Sequence, residues 1–326
     1  MDQNPTFTII DDPIYGSIKI SGICYQFFNT PEFTRLKNIK QLGLVSYVYN
    51  LAIHTRYEHS IGVMYLSGLL IKLLRKYTSI DKRTKQLVKL AAMLHDIGHS
   101  AFSHLFDRLL KNTSDNILPD YFKIKDHEQR SIYLVQTIND RLKLLNCDEV
   151  TFVCNLIQGI IPESEPNRFL YQIVCNSICG VDTDKLDYLR RDCYYSGVNS
   201  YNPNNIIFNA KIGKNNDLVF SKTVYNDLCN VFKTRQDMFM RVYYHPTVNN
   251  ITRIYYCMMK TLGSELFKNG INTDDYTVLE QIKNNYKTKK LYEQLESGNY
   301  DHICNKCIEL NIQYFNSGDI KKVLFC

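Results

Sequence analysis

Met93-Leu94-His95-Asp96-Ile97-Gly98-His99-Ser100-Ala101-Phe102-Ser103-His104 is the stretch that decides how this chain is read. Leu87, Leu90, Ala91 and Leu94 precede it at helical spacing, which predicts a buried helix that delivers His95 and Asp96 at its end and is interrupted at Gly98. Imidazole nitrogens and carboxylate oxygens both bind divalent first-row metals, and two His with two Asp leave positions open to water or a phosphate oxygen. His59 upstream and Asp184 downstream complete such a set. A lone histidine is more often a hydrogen-bonded core or surface residue than a ligand. Here five of the eight histidines fall between residues 54 and 104, and that clustering points to a metal-dependent phosphohydrolase.

Working outward, Val63, Leu66, Leu70 and Leu73 predict a helix from about Thr55 to Tyr77, with Arg56 and His59 sharing a face at i, i+3. Asp126 is a candidate N-cap for a helix opening at His127-Glu128, after a loop from Asn112 to Pro119. Asp184, Tyr188 and Asp192 stand at i, i+4 and i+8, so a helix there lines up a carboxylate, a phenol and a second carboxylate. A solvated polar face has the same pattern. Arg235, Phe239 and Tyr243 repeat the spacing on a predicted helix from Thr223 to Tyr244.

Asp12-Pro13 and Gly16 between apolar runs read as a hairpin over Phe7–Ile20, and Pro31 opens a predicted helix running to Leu42. Strands are expected at Ile206–Ile212 and Leu218–Phe220 around a Lys214–Asp217 turn, and helices with short loops from Met259 onward.

At 326 residues the chain can bury a sizeable core. It contains no run of 18 or more apolar residues and no basic-apolar leader, so the expectation is an intracellular protein, cytoplasmic or nuclear, with no membrane partner. Eleven cysteines scattered through apolar helical segments of so long a chain favour reduced thiols. Cys304-x-x-Cys307 beside His302 lacks a matching second pair and is taken as structural. A net charge of +6 suits an anionic substrate and leaves nucleic acid open as a partner without requiring it. Lys283, Lys287, Lys289 and Lys290 with Tyr286 fit the solvated face of a helix.

The ordered set Asp11-Asp12-Pro13-Ile14-Tyr15-Gly16, Gln41-Leu42-Gly43, His54-Thr55-Arg56-Tyr57-Glu58-His59-Ser60, His95-Asp96-Ile97-Gly98-His99, Phe102-Ser103-His104, Asp182-Thr183-Asp184-Lys185-Leu186-Asp187-Tyr188 and Arg191-Asp192-Cys193 resembles the HD-domain deoxynucleoside triphosphate triphosphohydrolases over nearly the whole length. It is most similar to the catalytic core of the animal branch that also carries a SAM domain. The resemblance implies a mainly α fold: an HD-domain helical core, a short N-terminal β-hairpin, a small β insertion and a reduced C-terminal helical lobe. The corresponding division is 1–54 for the hairpin and first helix, 55–258 for the catalytic core and 259–326 for the shortened lobe.

By the same resemblance the metal ligands fall on His59, His95, Asp96 and Asp184. His104 matches the residue that protonates the leaving ribose oxygen, and His99, Asp107 and His127 match the network beside the attacking water. Arg56, Lys185 and Arg235 match cations on the triphosphate. Gln41, Leu42, Tyr188, Asp192 and Tyr243 match groups that hold the sugar or crowd its 2′ position. The implied reaction converts dNTPs to deoxynucleosides and inorganic triphosphate, with iron, manganese, nickel or zinc at the His/Asp site and magnesium on the substrate.

Four departures shape what is expected. The hairpin that opens the family's core starts near residue 7, leaving no SAM domain, and the C-terminal lobe ends early. Asn29 and Lys37 stand where the family's activator-nucleotide motif has Asp and Arg, and Phe239 stands where a pocket His is usual. These features lead us to expect a homodimer active without GTP. The alternatives are an HD phosphohydrolase of other nucleotides or single-stranded nucleic acid, which has little use for three cations along a triphosphate, and a non-catalytic nucleotide-binding protein, which has no need of both the ligands and His104.

Overall fold

In the computed structural model, residues 6–199 and 201–298 are described. Strands β1 (Phe7–Asp12) and β2 (Gly16–Ser21) pair antiparallel with Phe7 opposite Ser21 and Asp12 opposite Gly16. Asp12 Oδ1 closes the turn by accepting from the backbone N–H of Ile14 and Tyr15, both at 2.9 Å. Most of the remaining regular structure is helical. The main helices are α1 (Arg56–Leu74), α2 (Lys82–Leu94), α3 (His104–Lys111), α4 (His127–Leu142), α5 (Cys147–Gln158), α6 (Thr183–Ser196), α7 (Tyr225–Met238), α8 (Pro246–Leu262) and α9 (Asp275–Asn284). A second small antiparallel sheet, β3 (Ala210–Ile212) and β4 (Leu218–Phe220), lies between α6 and α7 in sequence.

Local chemistry sets the helix starts. Thr55 N–H donates to Glu58 Oε2 at 2.7 Å ahead of α1, Asp81 accepts from Arg83 and Thr84 N–H ahead of α2, and Asp126 accepts from Glu128 and Gln129 N–H ahead of α4. α1 packs along α2 and α6. Most of its residues are buried, including Ile61, Val63, Met64 and Leu70, so it is the central rod of the molecule rather than a surface helix. One apolar cluster runs continuously from Ile18 in β2 to Leu295; a smaller one gathers Leu66, Leu186, Leu189, Val231 and Met238 between α1, α6 and α7. No helix among the described residues is long and apolar enough to cross a membrane.

Several expectations need correction. The helix expected from Pro31 to Leu42 stops after one turn (Pro31–Thr34) and continues as a 3-10 turn over Arg35–Asn38. The tighter winding ends with buried Arg35 donating to the carbonyls of Ile97, His99 and Thr273, bonds that reach segments far away in sequence. Ile206–Phe208 belong to a short helix, Asn204–Phe208, and only Ala210–Ile212 is strand. Adjacent Ile206 and Ile207 are both buried against the smaller core, which a strand of alternating faces could not provide there. The helix ending in His95-Asp96 stops at Leu94, before Gly98. Gly98 is needed for a different reason: a Cβ there would lie 2.2 Å from His127 O and 2.4 Å from Ser131 N, so the α4 backbone rests directly on it.

Every cysteine among the described residues is a free thiol. His302, Cys304 and Cys307 lie outside the described residues. The lysine-rich stretch is not one helix face: α9 ends at Asn284, Tyr286 (83% exposed) and Lys287 lie in a turn, and Lys289 and Lys290 open a further short helix, Lys289–Glu296.

Candidate metal centre and substrate cavity

α1, the turn after α2, and the start of α6 converge on one point. There His59 Nε2 lies 3.1 Å from Asp184 Oδ1 and 3.6 Å from Asp96 Oδ2, while His95 Nε2 lies 3.4 Å and 3.6 Å from the same two oxygens. The other imidazole nitrogens are already committed, His59 Nδ1 to Asp187 Oδ2 at 2.8 Å and His95 Nδ1 to Ala92 O at 2.8 Å. Both Nε2 atoms are buried and without a hydrogen bond. Two orphaned imidazole nitrogens facing two carboxylates, with their Nδ1 atoms held by acceptors, are the donor set of a first-row divalent ion. The electrostatics agree. Burial works to lower the His59 pKa, but the Asp184 and Asp187 carboxylates outweigh it and push it up to about 10. Burial likewise opposes ionisation of Asp96 and Asp184, yet Arg56 beside the first and the two histidines beside the second hold both below the usual carboxylate range. The two carboxylates stay ionised and favour positive charge on the imidazoles between them.

Behind it stands a buried ion-pair chain. Asp187, three residues after Asp184 on α6, also accepts from Arg191 Nε and Nη2, both at 3.0 Å, and Arg191 Nη1 donates to Asp12 Oδ2 at 2.8 Å. The hairpin turn is thereby tied to His59. Gly62 makes room for this chain, since a Cβ there would sit 2.0 Å from Asp187 Oδ1 and 2.4 Å from Arg191 Nη2.

A second histidine group flanks the centre. The His99 and His127 rings stack with centroids 3.9 Å apart, and His104 meets both edge-on. His127 Nδ1 bonds Asp107 Oδ2 at 2.6 Å, and Arg130 pairs with Asp107 Oδ1. His99 Nε2 lies 3.5 Å from Asp96 Oδ1. The surrounding protein, then Arg56 and His127, lower the His104 pKa to about 4, and the same causes in the same order hold His99 well below its usual value. Both rings are therefore neutral at pH 7 before an anion arrives.

A cavity of about 590 Å³ opens from the Asp96–Asp184 side of this centre. Arg56, His99, His104, His127, Gln41, Leu42, Tyr188, Asp192, Tyr243 and Arg235 all line it. Arg56 pairs with Asp96 and donates from Nε to Ser103 Oγ at 2.8 Å. Gln41 Oε1 is buried without a partner. Tyr243 O–H donates to Asp192 Oδ2 at 2.6 Å, and His54 Nε2 bonds Asp192 Oδ1 at 2.8 Å while its ring stacks on Tyr195. Phe239 lies beneath the Arg235 guanidinium, 4.7 Å from ring centroid to carbon, and meets Tyr243 edge-on.

The expected α-helix through Tyr244 ends at Met238 and widens to a π-helix over Phe239–Tyr243, with Tyr244 N–H donating to Phe239 O at 3.0 Å. Of the sequence candidates, Lys185 does not line the cavity; its Nζ lies 3.8 Å from Asp182 Oδ2. Arg108 does line it, one turn after His104 on α3, and that i, i+4 spacing was its signal. Glu128, beside His127, was also missed. Asp187 and Arg191 were readable from helical spacing to Asp184; Asp12 and His54 reach their partners only through the fold.

The family model for the HD domain matches residues 56–190. The chain is 35% identical over 253 residues to an HD domain-containing protein of Acanthamoeba polyphaga mimivirus, covering 72% of this chain and 53% of that one. It is 34% identical over 249 residues to the deoxynucleoside triphosphate triphosphohydrolase SAMHD1 homolog of Dictyostelium discoideum (74% and 47%), and 29% identical over 326 residues to human deoxynucleoside triphosphate triphosphohydrolase SAMHD1 (88% and 51%). The chain spans about half the length of these curated relatives. The matched segment holds His59, His95, Asp96 and Asp184, and the chain carries an HD domain over residues 56–190.

Proposed function

We propose that this protein hydrolyses deoxynucleoside triphosphates to deoxynucleoside and inorganic triphosphate, with a divalent metal held by His59, His95, Asp96 and Asp184. One observation carries the reading: a single cavity joins the His/Asp centre to guanidinium groups at Arg56 and Arg235 and to the hydrogen-bonded pair Asp192–Tyr243. The names of the Dictyostelium and human relatives support the substrate class. Iron, manganese, nickel and zinc all suit the donor set, and magnesium travels with the triphosphate. When bound, the metal lowers the pKa of water and polarises a phosphoryl oxygen.

The chain's own residues do the rest. Arg56 and Arg235, with Arg108 replacing Lys185 as the third cation at the cavity wall, hold the phosphates and offset the charge that develops on them. Phe239 fixes the plane of Arg235 from below. Water oxygen joins the α-phosphorus, the bond from that phosphorus to the 5′-oxygen breaks, and His104 gives its proton to that oxygen. A triphosphate engaged by Arg56 removes a charge that depresses the His104 pKa and adds negative charge beside it, so substrate itself arms the acid. His99, Asp107 and His127 order the water's surroundings. Asp192, set by His54 and Tyr243, receives the sugar 3′-hydroxyl; Gln41 offers its free carbonyl oxygen; Tyr188, Leu42 and Tyr243 leave little room at the 2′ position.

This reading includes a homodimer that works without GTP or nucleic acid. Two side chains support the independence from GTP: Asn29 Nδ2 donates back to Tyr25 O at 2.9 Å, and Lys37 Nζ lies over the Tyr57 ring at 4.8 Å. Both are engaged within the chain, and neither offers a carboxylate or a planar fork to guanine. Product analysis tests the function: inorganic triphosphate and deoxynucleoside from a dNTP support it, whereas orthophosphate or a nucleoside monophosphate overturns it. Sedimentation run beside initial rates tests the regulation, and GTP-driven tetramers with a large rate increase overturn that part.

A further inference from the structure

We propose that Asp275 is a positioning residue that clamps the His99–His104 loop, and with it the Arg56 guanidinium, from outside the HD domain. Phe102 and Ser103, the two residues before His104, have φ of 56° and 57° although neither is glycine. Such backbone persists only where its surroundings over-determine it.

Asp275 supplies the restraint. Its Oδ1 accepts Phe102 N–H at 2.6 Å and its Oδ2 accepts Lys40 N–H at 3.0 Å, so one carboxylate joins two chain segments. Those segments also meet through Ser103, whose Oγ donates to Lys40 O at 2.9 Å and accepts from Arg56 Nε at 2.8 Å. The order of contact is therefore Asp275, Phe102 and Lys40, Ser103, Arg56. The neighbours of Asp275 hold the same two segments: Thr273 O accepts from Arg35 Nη1, which also donates to His99 O, and Asp274 Oδ2 accepts from Asn38 Nδ2 at 2.9 Å, two residues before Lys40. An acidic residue in the first turn of a helix ordinarily serves that helix. Asp274 caps α9 by accepting Thr277 N–H, while both oxygens of Asp275 are spent on other parts of the chain. Asp275 lines a second cavity, of about 640 Å³, that shares only the wall of Gly43, Leu44 and Phe102 with the substrate cavity, so it acts without touching substrate.

The catalytic consequence rests on the function proposed above; the clamp does not. Wild type, Asp275→Ala and Asp275→Asn are compared by hydrogen–deuterium exchange of the peptide covering 97–104, by bound metal, and by steady-state dNTP hydrolysis. Asp275→Ala is expected to accelerate exchange in that peptide about tenfold or more, consistent with local opening. It should keep its metal and lose about 10- to 100-fold in kcat, the effect of roughly an ångström of misplacement. KM should stay within about threefold, which separates mispositioning from lost binding. Asp275→Asn keeps one acceptor oxygen and should fall between; should the alanine variant not fold, the asparagine variant carries the test. Exchange within twofold of wild type overturns the clamp, as does kcat loss that merely tracks lost metal. Faster exchange in a protein whose wild type hydrolyses no dNTP sustains the clamp and overturns the function.

Discussion

Asp187→Asn tests whether the ion-pair chain behind the metal centre holds the metal as well as the fold. The substitution keeps the shape but removes a charge that receives three hydrogen bonds, one from His59 at 2.8 Å and two from Arg191 at 3.0 Å. An amide has one acceptor oxygen, so at least one Arg191 N–H is left facing an NH₂ group. Removing a partner outright from a buried ion pair costs about 3–5 kcal/mol. Because Asp12 still holds Arg191 at 2.8 Å and the amide keeps one acceptor, we expect about 2–3 kcal/mol of stability to go. Metal affinity should fall about 10- to 100-fold, the usual effect of losing the carboxylate that orients a ligating His. Chelator competition on the purified protein reads the affinity and thermal unfolding reads the stability; excess metal should restore turnover. Asp12→Asn is the control, since it weakens the same chain without touching His59 and should lower stability while leaving affinity nearly intact. Equal metal retention in Asp187→Asn and wild type, at lowered stability, would refute a metal-orienting role. The acid limb has a fixed sign. Burial works to raise the Asp187 pKa, but Arg191 and His59 bring it down to about 2, so its contribution is complete above the ordinary carboxylate range and is lost as pH falls toward 2.

Four further outcomes are expected. Gly98→Ala forces a methyl group to within 2.2 Å of His127 O and should cost about 3 kcal/mol or more, read as a lowered Tm and lost metal. His104→Ala should retain metal and substrate binding while kcat drops about 10²–10⁴-fold; unchanged turnover removes His104 from the mechanism. Leu42→Ala should narrow the ratio of dNTP to rNTP turnover, and an unmoved ratio places the sugar filter elsewhere. Withdrawal from water pushes the Asp275 pKa up to about 7, so between about pH 4 and 7 the folded chain holds a proton that the unfolded chain has released. Wild-type stability relative to Asp275→Asn should therefore decline as pH rises through that window, by at most about 1.4 kcal/mol per unit, and a flat difference in unfolding free energy contradicts it.

The parts legible in the sequence are those written in local periodicity. His95 and Asp96 follow an apolar helical repeat, and Asp184, Tyr188 and Asp192 share a face of α6, so composition and spacing were enough to bring them together. What escaped is written in long-range pairs. His54 meets Asp192 across 138 positions and Arg191 meets Asp12 across 179, and no window of sequence holds either pair. Arg35 draws its segment out of the expected helix because its acceptors, Ile97, His99 and Thr273, are supplied by the tertiary fold. Lys185 rests on the family resemblance rather than on spacing; its Nζ lies 3.8 Å from Asp182 Oδ2, and it is not among the residues lining the cavity.

The π-helical turn at Phe239–Tyr243 amounts to one residue inserted into a helix. Inside the turn each side chain is aimed differently from where ordinary winding would put it, so a single-residue deletion that restores that winding re-aims Phe239–Tyr243 while the flanking segments keep their facing. Tyr243 then leaves Asp192 without any change in its own identity. The proposed sugar site is thus sensitive to reading-frame-preserving deletions that spare every side chain it uses, a class of variant that residue-by-residue substitution does not sample.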